Sequence, residues 1–461
     1  MNTALKHSTG SKLSLHKRLL SILLALALVC TCSAPSVDDA FADARGTDVI
    51  YGETVEDRGL SVSDCPNIDA EYAIVMDSEG NVYFERNATD STQIASITKV
   101  MTAIVALEAV ENGEITLDTE ITVSSEAASI GESSASLMAG DTLTLLDALY
   151  ALLVPSGNDA AVAIAEAIAG SVDDFADLMN AKAEELGCTD TYFTNPHGLD
   201  SGSYSGSQHS CAEDVALMVQ CAMTYDTFRE IVAGGDATIT VTRDGSAVDI
   251  SLSSTDGFMD IYEYAIGVKT GYTDLAGYSF AGAALKDDVE LYVVVINSSS
   301  SDQRFEDAMT LCEWVYEHLV TYSLANSTKT TTLNGEEVPL IAEVAHSEWI
   351  DVTIDVTLAD PDAAMLVFDL NGNVSQSIEF DEITGDIEAG DVVGTITFKQ
   401  QNEVILTMDL VACESVDAPS AFASIGIWFQ RLFASLTGSQ KVADTVIYNE
   451  TPLIVDYSSD D

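Results

Sequence analysis

Positive charge is what this chain has least of. Eighteen lysines and arginines stand against 75 aspartates and glutamates in 461 residues, a formal net charge of −57. Lys6, Lys12, Lys17 and Arg18 all crowd the N-terminus, so the remaining body is more acidic still. Such a surface repels phosphate backbones, which excludes a nucleic-acid partner; solubility and self-repulsion account for most of the acidity. Histidine is scarce too: there are six, none in a metal-ligand spacing of the HExxH kind, so no catalytic metal and no cofactor is expected. Cysteine is thin, and beyond the first 32 residues only Cys65, Cys188, Cys211, Cys221, Cys312 and Cys413 remain. No spacing repeats, and Cys211 and Cys221 sit too far apart on one helical pattern to bridge, so buried thiols are expected rather than a disulfide framework. Long apolar runs are also missing. "LLSILLALALV", 19 to 29, is too short to span a bilayer.

That run has another reading. Basic residues precede it and small residues follow, with cleavage candidates after Ala34, Ala42 and Ala44. This is the layout of a secretory signal, assigned here to 1–34 with cleavage as late as 44, and it places the mature protein outside the cytoplasm. Val29 and Thr31, before Cys30 and Cys32, are not the small residues a lipid attachment site prefers.

The length suits two or three domains, and an apolar content of 47% supplies a sizeable core. Residues 45–70 are polar without periodicity and read as a linker or leader. "YAIVMDSEGNVYFER", 72–86, reads as two strands around a turn. From Ser96 to Asn112 apolar residues recur at helical spacing on more than one side, which predicts a buried helix ending at Asn112-Gly113. Helical patterns fill 143–187, broken by the loop "VPSGN" at 154–158. Strands return at 237–243 and 247–254, a hairpin follows at 277–285 and 289–298, and a helix over roughly 302–321 closes the unit. One sheet with helices packed on it is the α+β expectation for 71–322. Short alternating runs then predict a separate β-rich domain over 323–415. In 419–437, Phe422, Ile425, Phe429, Leu432, Phe433 and Leu436 share one face of an amphipathic helix, and 438–461 reads as an acidic tail.

Three short stretches carry chemistry together. Ser96-Ile97-Thr98-Lys99 opens a helix, Ser156-Gly157-Asn158 sits in an interhelical loop, and Lys269-Thr270-Gly271 ends a strand. Each alone is commonplace. Their order, and the fact that two of the seven lysines beyond the signal fall within them, make the set informative. A serine hydroxyl needs a neighbouring base to become a nucleophile. Positions i and i+3 share a helix face, so Lys99 can reach Ser96. Burial and a nearby cation such as Lys269 would lower the Lys99 pKa and free its lone pair. Ser156 could relay a proton, Asn158 could grip a substrate amide with both ends of its carboxamide, Lys269 and Thr270 could hold a carboxylate, and Gly271 could admit a substrate backbone close to the strand.

At these residues the chain resembles a known family. The same three-part signature marks class A β-lactamases and penicillin-binding proteins. "ASITKVMTA", "LLVPSGNDAAVAIAEAIAG", "FTNPHGLD" and "GVKTGYTDLAGYSFAGAA" look like the serine D-alanyl-D-alanine carboxypeptidases, the low-molecular-weight penicillin-binding proteins. The resemblance covers about 70–322. It implies a β-lactamase/transpeptidase-like domain, an antiparallel sheet flanked by helices plus a helical cluster, followed by the small all-β domain and the amphipathic helix. It also implies roles: Ser96 as nucleophile, Lys99 as general base, Ser156 in proton transfer, Asn158, Lys269, Thr270 and Gly271 at the substrate, and the backbone N–H groups of Ser96 and Tyr272 as oxyanion hole. The implied substrate is a peptidoglycan stem peptide at the cell wall or outer face of the cytoplasmic membrane, with β-lactams as inhibitors. Peripheral membrane contact through 419–437 is the family expectation, although Arg431 is that segment's only cation, and the alternative is a helix packed on the β-rich domain. Two rival functions remain: a β-lactamase of the same fold, disfavoured by Ser-Gly-Asn at the second motif, and a penicillin-binding sensor that does not turn over. His197 and His209 read as polar loop residues rather than catalytic groups, Arg304 as an ion-pair partner with a substrate role as the lesser alternative, and Trp428-Phe429 as core or membrane contact.

Overall fold

Apolar runs long enough to be covered on both faces build the centre of the first unit. The computed structural model describes residues 45–206, 208–437 and 443–454; the signal segment with its cleavage window, and parts of the acidic tail, lie outside these. Strands β3 (Tyr72–Asp77) and β11 (Val289–Ser298) are buried along almost their whole length, as expected of strands sandwiched between layers. With β1 (Val49–Ile50), β2 (Glu53–Thr54), β4 (Val82–Arg86), β9 (Ala265–Thr273) and β10 (Gly277–Lys286) they form an antiparallel sheet in the order β2-β1-β4-β3-β11-β10-β9. β9, with Lys269-Thr270-Gly271 near its end, is therefore an edge strand, with ladder partners on one side only among the described residues.

Residues 45–70 are not the leader expected of them. β1 pairs with β4, Ile50 and Val55 are buried, and the Asp48 carboxylate takes two hydrogen bonds from Arg86 at 2.8 and 2.7 Å. Two-residue strands are too short to show alternation, which is why composition hid them.

A helical cluster stands beside the sheet. Helix α1 (Lys99–Glu111) is buried on nearly every side, as its lack of a polar face requires. Helices α2 (Leu145–Leu153), α3 (Asn158–Ala169) and α4 (Val172–Glu185) pack around it, and α3 presents buried alanines from Ala160 to Ala165 that let backbones approach. Helix α5 (Ala212–Ala222) packs on β3 and β11, and α6 (Asp226–Ala233) packs on β9. A second antiparallel sheet runs β5 (Glu120–Thr122), β6 (Thr142–Thr144), β7 (Ala237–Arg243), β8 (Ser246–Leu252). All six described cysteines are free thiols; five are buried and Cys221 is half-buried.

The chain divides into two compact units between Cys312 and Glu313, inside helix α7 (Gln303–His318). The sequence placed that boundary after 322 and ran the helix to about 321. Instead β12 (Leu319–Ser323) begins directly after His318, a change that one apolar pattern flowing into another does not announce. The second unit is β-rich. Its main sheet orders β18 (Val374–Phe380), β19 (Val392–Gln400), β20 (Glu403–Ala412), β16 (Thr353–Leu358), β15 (Ala342–Ala345) and β21 (Val446–Ile447) around a core of Ile354, Val356, Leu358, Ile396, Phe398 and Leu410. Helix α8 spans Ala421–Thr437. The tail beyond it is not merely acidic. β21 edges the sheet through β15, and the buried Asn449 side chain bonds Asn326 N, Leu324 O and Gln376 Oε1.

Candidate active site

Ser96 lies in a 3-10 turn, Ala95–Thr98, that runs directly into α1, so Lys99 is the first residue of the α-helix. In 3-10 geometry side chains at i and i+3 eclipse, which aligns this pair more closely than an α-helix does. Lys99 Nζ lies 2.9 Å from Ser96 Oγ and is fully buried. It also donates to Asn158 Oδ1 at 2.7 Å and to the His197 carbonyl at 2.9 Å. Those two oxygens are acceptors only, whereas the Ser96 hydroxyl can donate. The three contacts suit an ammonium that donates to all three oxygens, and equally a neutral amine that donates to the Asn158 and His197 oxygens and accepts from the serine hydroxyl. Burial first, and then the Lys269 ammonium, hold Lys99 well below the usual lysine range, with Asp159 opposing. Backbone strain is stored here: Ala95 has φ +48° and Ser156 φ +63°, both uncommon for residues with a side chain.

The loop between α2 and α3 carries Ser156, whose buried Oγ has no hydrogen-bond partner and is free to take a proton in transit. Asn158 opens α3. Its Oδ1 is taken by Lys99 and its Nδ2 donates to Gly131 O at 2.9 Å, so the carboxamide is committed to the protein and one N–H is left for a substrate. The expectation that both ends grip a substrate amide is corrected accordingly. The neighbouring Asp159 carboxylate accepts from Ser134 Oγ, Ala135 N and Leu137 N, and so ties the loop 131–137 to α3.

On β9, Lys269 is buried and donates to Thr270 O at 3.1 Å. Burial and the Arg304 guanidinium bring its pKa down to about 7, with Asp256 opposing. Thr270 Oγ1 bonds Thr255 Oγ1 at 2.7 Å. Gly271 has a different reason for being glycine than the one expected. A Cβ there would meet Ile94 O at 2.7 Å, so the missing side chain makes room for the turn that carries Ser96. Tyr272 is exposed and packs its ring on Tyr278, with centroids 4.5 Å apart.

Ser96, Ser156, Asn158, Thr270, Gly271 and Tyr272 line one cleft of about 370 Å³, and the buried Lys99 and Lys269 sit directly behind that lining. Three stretches distant in sequence thus converge. Several cleft residues lie outside the three motifs. Arg304 lines it and donates to the carbonyls of Gly271 and Ser279, at 3.2 and 3.4 Å, while its Nε is buried without a partner; it is not the ion-pair residue expected. Thr255, Glu132, Ser133 and Asp200 also line the cleft. Asp256, behind Thr255, is raised to about 6 by burial against the pull of Lys269 and Arg304. His197 is no surface loop residue either. It is buried, its ring accepts from Leu199 N through Nδ1, and burial with the Lys99 charge lowers its pKa to about 3. Its contribution is its carbonyl, which side-chain motifs cannot reveal. His209 stacks on Tyr192 away from this cleft.

Comparison with known proteins agrees with this geometry. Residues 60–300 match the Peptidase_S11 family model, described as D-alanyl-D-alanine carboxypeptidase. The chain is 29% identical over 407 residues to the D-alanyl-D-alanine carboxypeptidase DacF of Bacillus subtilis (strain 168), covering 87% of this chain and 95% of that one. It is 32% identical over 248 residues to the D-alanyl-D-alanine carboxypeptidase of Streptomyces sp. (strain K15), covering 51% of this chain and 82% of that one. Among solved structures, the Streptomyces K15 DD-transpeptidase superposes with a TM-score of 0.52 at 29% identity, covering 55% of this chain and 98% of that one. The carboxypeptidase DacD of Francisella tularensis, at 24% identity and a TM-score of 0.55, covers 76% of this chain and 94% of that one, and shares the fold.

Proposed function

The chain belongs to the serine D-alanyl-D-alanine carboxypeptidases, and from that premise we infer how its own residues perform the reaction. The protein removes the terminal D-alanine from peptidoglycan stem peptides outside the cytoplasm. Ser96 Oγ attacks the carbonyl of the penultimate D-alanine as Lys99 Nζ takes the hydroxyl proton. The backbone N–H groups of Ser96 and Tyr272 receive the oxyanion. The proton passes through Ser156 Oγ to the departing amine, D-alanine leaves, and an acyl-enzyme remains on Ser96. Water, activated by the same base, then releases the shortened peptide. Lys269, Thr270 and Arg304 receive the terminal carboxylate. β-Lactams acylate Ser96 because they present the same carboxylate and carbonyl. The observation that carries this reading is the convergence on one cleft of Ser96, with the buried Lys99 Nζ 2.9 Å from its Oγ, the unpartnered Ser156 hydroxyl and Thr270.

The direct test is release of D-alanine from a diacetyl-L-Lys-D-Ala-D-Ala peptide by the purified chain. Steady release supports the carboxypeptidase. A stable penicillin adduct without D-alanine release would instead mark a sensor, and fast recovery from penicillin a β-lactamase.

The pH dependence has a definite sign. Lys269 holds its cation below about 7 and loses it as pH rises through that value. A bound carboxylate restores the charge, so kcat holds while KM rises about tenfold per unit above pH ~7. Measuring kcat and KM for a carboxylate-ended peptide across that window checks this, and a flat KM would contradict the carboxylate role.

We further propose that α8 lies on the membrane surface. It leaves Phe422 90%, Phe433 65% and Leu436 74% exposed, a face that favours an apolar boundary. No described helix is long and apolar enough to cross a membrane. Because β21 and Asn449 belong to the β-rich unit, truncating 419–461 would damage that unit. Replacing Phe422, Phe429, Phe433 and Leu436 by serine is the cleaner experiment. Vesicle partitioning is expected to fall by about two orders of magnitude or more, with D-alanine release from soluble peptide unchanged. Unchanged partitioning would refute the anchor.

A further inference from the structure

Helix α7 delivers Arg304 to the cleft, and little holds that guanidinium in place directly. Its two hydrogen bonds, to the carbonyls of Gly271 and Ser279, are 3.2 and 3.4 Å long, and its Nε is buried without a partner. Of the two rings near it, Tyr278 is 6.0 Å away, at the limit of useful contact, and Phe305, at 4.7 Å, is the next residue of the same helix and moves with it. Arg304 is also only the second residue of α7. First turns carry backbone N–H groups with no intrahelical acceptor, and helix ends fray unless something fastens them.

The fastening is one turn further on. Asp307 is 1% exposed, and each of its carboxylate oxygens takes two hydrogen bonds. Oδ1 accepts from Asp69 N at 3.0 Å and from Gln303 Nε2 at 2.9 Å. Oδ2 accepts from Ala70 N at 2.9 Å and from Ser298 Oγ at 2.7 Å. These four bonds fill a carboxylate's capacity. All four donors are neutral, so the group does not balance a cation. Burying a carboxylate in this way is costly, and what it gives is geometry. The start of α7, the last residue of β11 and the end of the segment before β3 meet at one side chain. Asp69 adds a second tie, its Oδ2 accepting from Ser299 N at 2.9 Å.

We propose that Asp307 is the positioning residue for Arg304: by locking the first turn of α7 to β11 and to Asp69 and Ala70, it keeps the guanidinium in the cleft. Positions i and i+3 share a helix face, so a shift at Asp307 is a shift at Arg304. The proposal rests on the reading that Arg304, with Thr270 and Lys269, receives the terminal carboxylate. Asp307→Asn is the informative change. It keeps the shape of the side chain but accepts at one end and donates at the other. Whichever way the amide turns, its nitrogen faces a backbone N–H, that of Asp69 or that of Ala70, and one side of the clamp opens.

The experiment measures kcat and KM for D-alanine release from the diacetyl-L-Lys-D-Ala-D-Ala peptide by the full chain, per active site counted by covalent penicillin labelling. Asp307→Asn is expected to raise KM by about tenfold and to leave kcat within about twofold, because the contact it weakens is made equally in ground and transition states. Arg304→Gln should raise KM by at least as much, and adding Asp307→Asn to it should raise KM by less than about twofold more. Glu306→Gln removes the same charge from the same turn at an exposed position and should change neither constant. A purely structural Asp307 would lower Tm and the active-site count with KM unmoved, or would add in full to Arg304→Gln; either result overturns the proposal. Ser298→Ala removes one donor only and should raise KM by about threefold. It keeps the proposal testable if Asp307→Asn fails to fold, and an unmoved KM there overturns it. If Arg304→Gln leaves KM unmoved, the carboxylate reading fails and the proposal with it; if Arg304→Gln raises KM and Asp307→Asn does not, only the proposal falls. Should the chain release no D-alanine, the carboxypeptidase reading fails. The same cycle is then read on the second-order rate of penicillin acylation, where the same pattern supports the proposal and its absence overturns it.

Discussion

Ser96→Ala is expected to lower D-alanine release by at least about 10⁴-fold and to abolish covalent labelling by a fluorescent penicillin. The size follows from the arrangement around the hydroxyl. Lys99 Nζ is 2.9 Å away; in its neutral form, with its two hydrogens given to Asn158 Oδ1 and the His197 carbonyl, its lone pair would face the Ser96 hydroxyl. With the hydroxyl gone, that lone pair has no proton to take and no acyl-enzyme can form. The alanine variant should fold, since the 3-10 turn is held by backbone bonds and by the buried Ile97 and Thr98, not by the serine side chain. Binding of the carboxylate end should survive, because Thr270, Lys269 and Arg304 are untouched. Intact-mass measurement after incubation with penicillin reads the result. A covalent adduct on the alanine variant would remove Ser96 as nucleophile and shift attention to Ser156, the other cleft serine with an unpartnered hydroxyl.

The convergence of the three motifs on one cleft is legible in the sequence, and the reason is chemical. A nucleophile, a base and a carboxylate anchor demand particular side chains, and in a chain so poor in lysine the placements of Lys99 and Lys269 stand out. What stayed hidden acts through the backbone or through long-range packing. His197 matters by its carbonyl, which every residue has. Gly271 serves the packing of the Ile94 turn, and its glycine looks the same in sequence as one that admits a substrate. Arg304 arrives from α7, outside all three motifs, and nothing in its local sequence says that its guanidinium caps the carbonyls of Gly271 and Ser279. In the fold, long elements such as α1, β11 and the β19–β20 hairpin were plain from periodicity. The two-residue strands β1, β2 and β21 were not, because two residues carry no period, and their existence is decided by the strands they pair with.

Gly198→Ala is the second large effect expected, and it tests how the nucleophile is held. Gly198 follows His197, and its φ of +89° already disfavours any side chain. A Cβ there would lie 1.9 Å from Ala95 O, 2.4 Å from Ala95 C and 2.9 Å from Thr98 Oγ1. Two of those atoms are backbone and cannot swing aside. Either the loop carrying the His197 carbonyl retreats, or the turn carrying Ser96 does, and both atoms flank Lys99 Nζ. Overpacking plus the conformational penalty is expected to destabilise by about 3 kcal/mol or more, a fall in Tm of about 5 °C or more for a unit of roughly 270 residues. In whatever fraction stays folded, kcat should drop by about 100-fold, the effect of displacing a catalytic group by about 1 Å. Gly187→Ala separates the two causes. That glycine has φ +79° but open space around its missing Cβ, so only the conformational penalty of about 1 kcal/mol should appear, with kcat unchanged. Thermal unfolding and single-turnover acylation of both variants decide the matter. If Gly198→Ala behaves like Gly187→Ala in both measurements, the loop does not brace the Ser96 turn, and the alignment of Lys99 has to come from Asn158 alone.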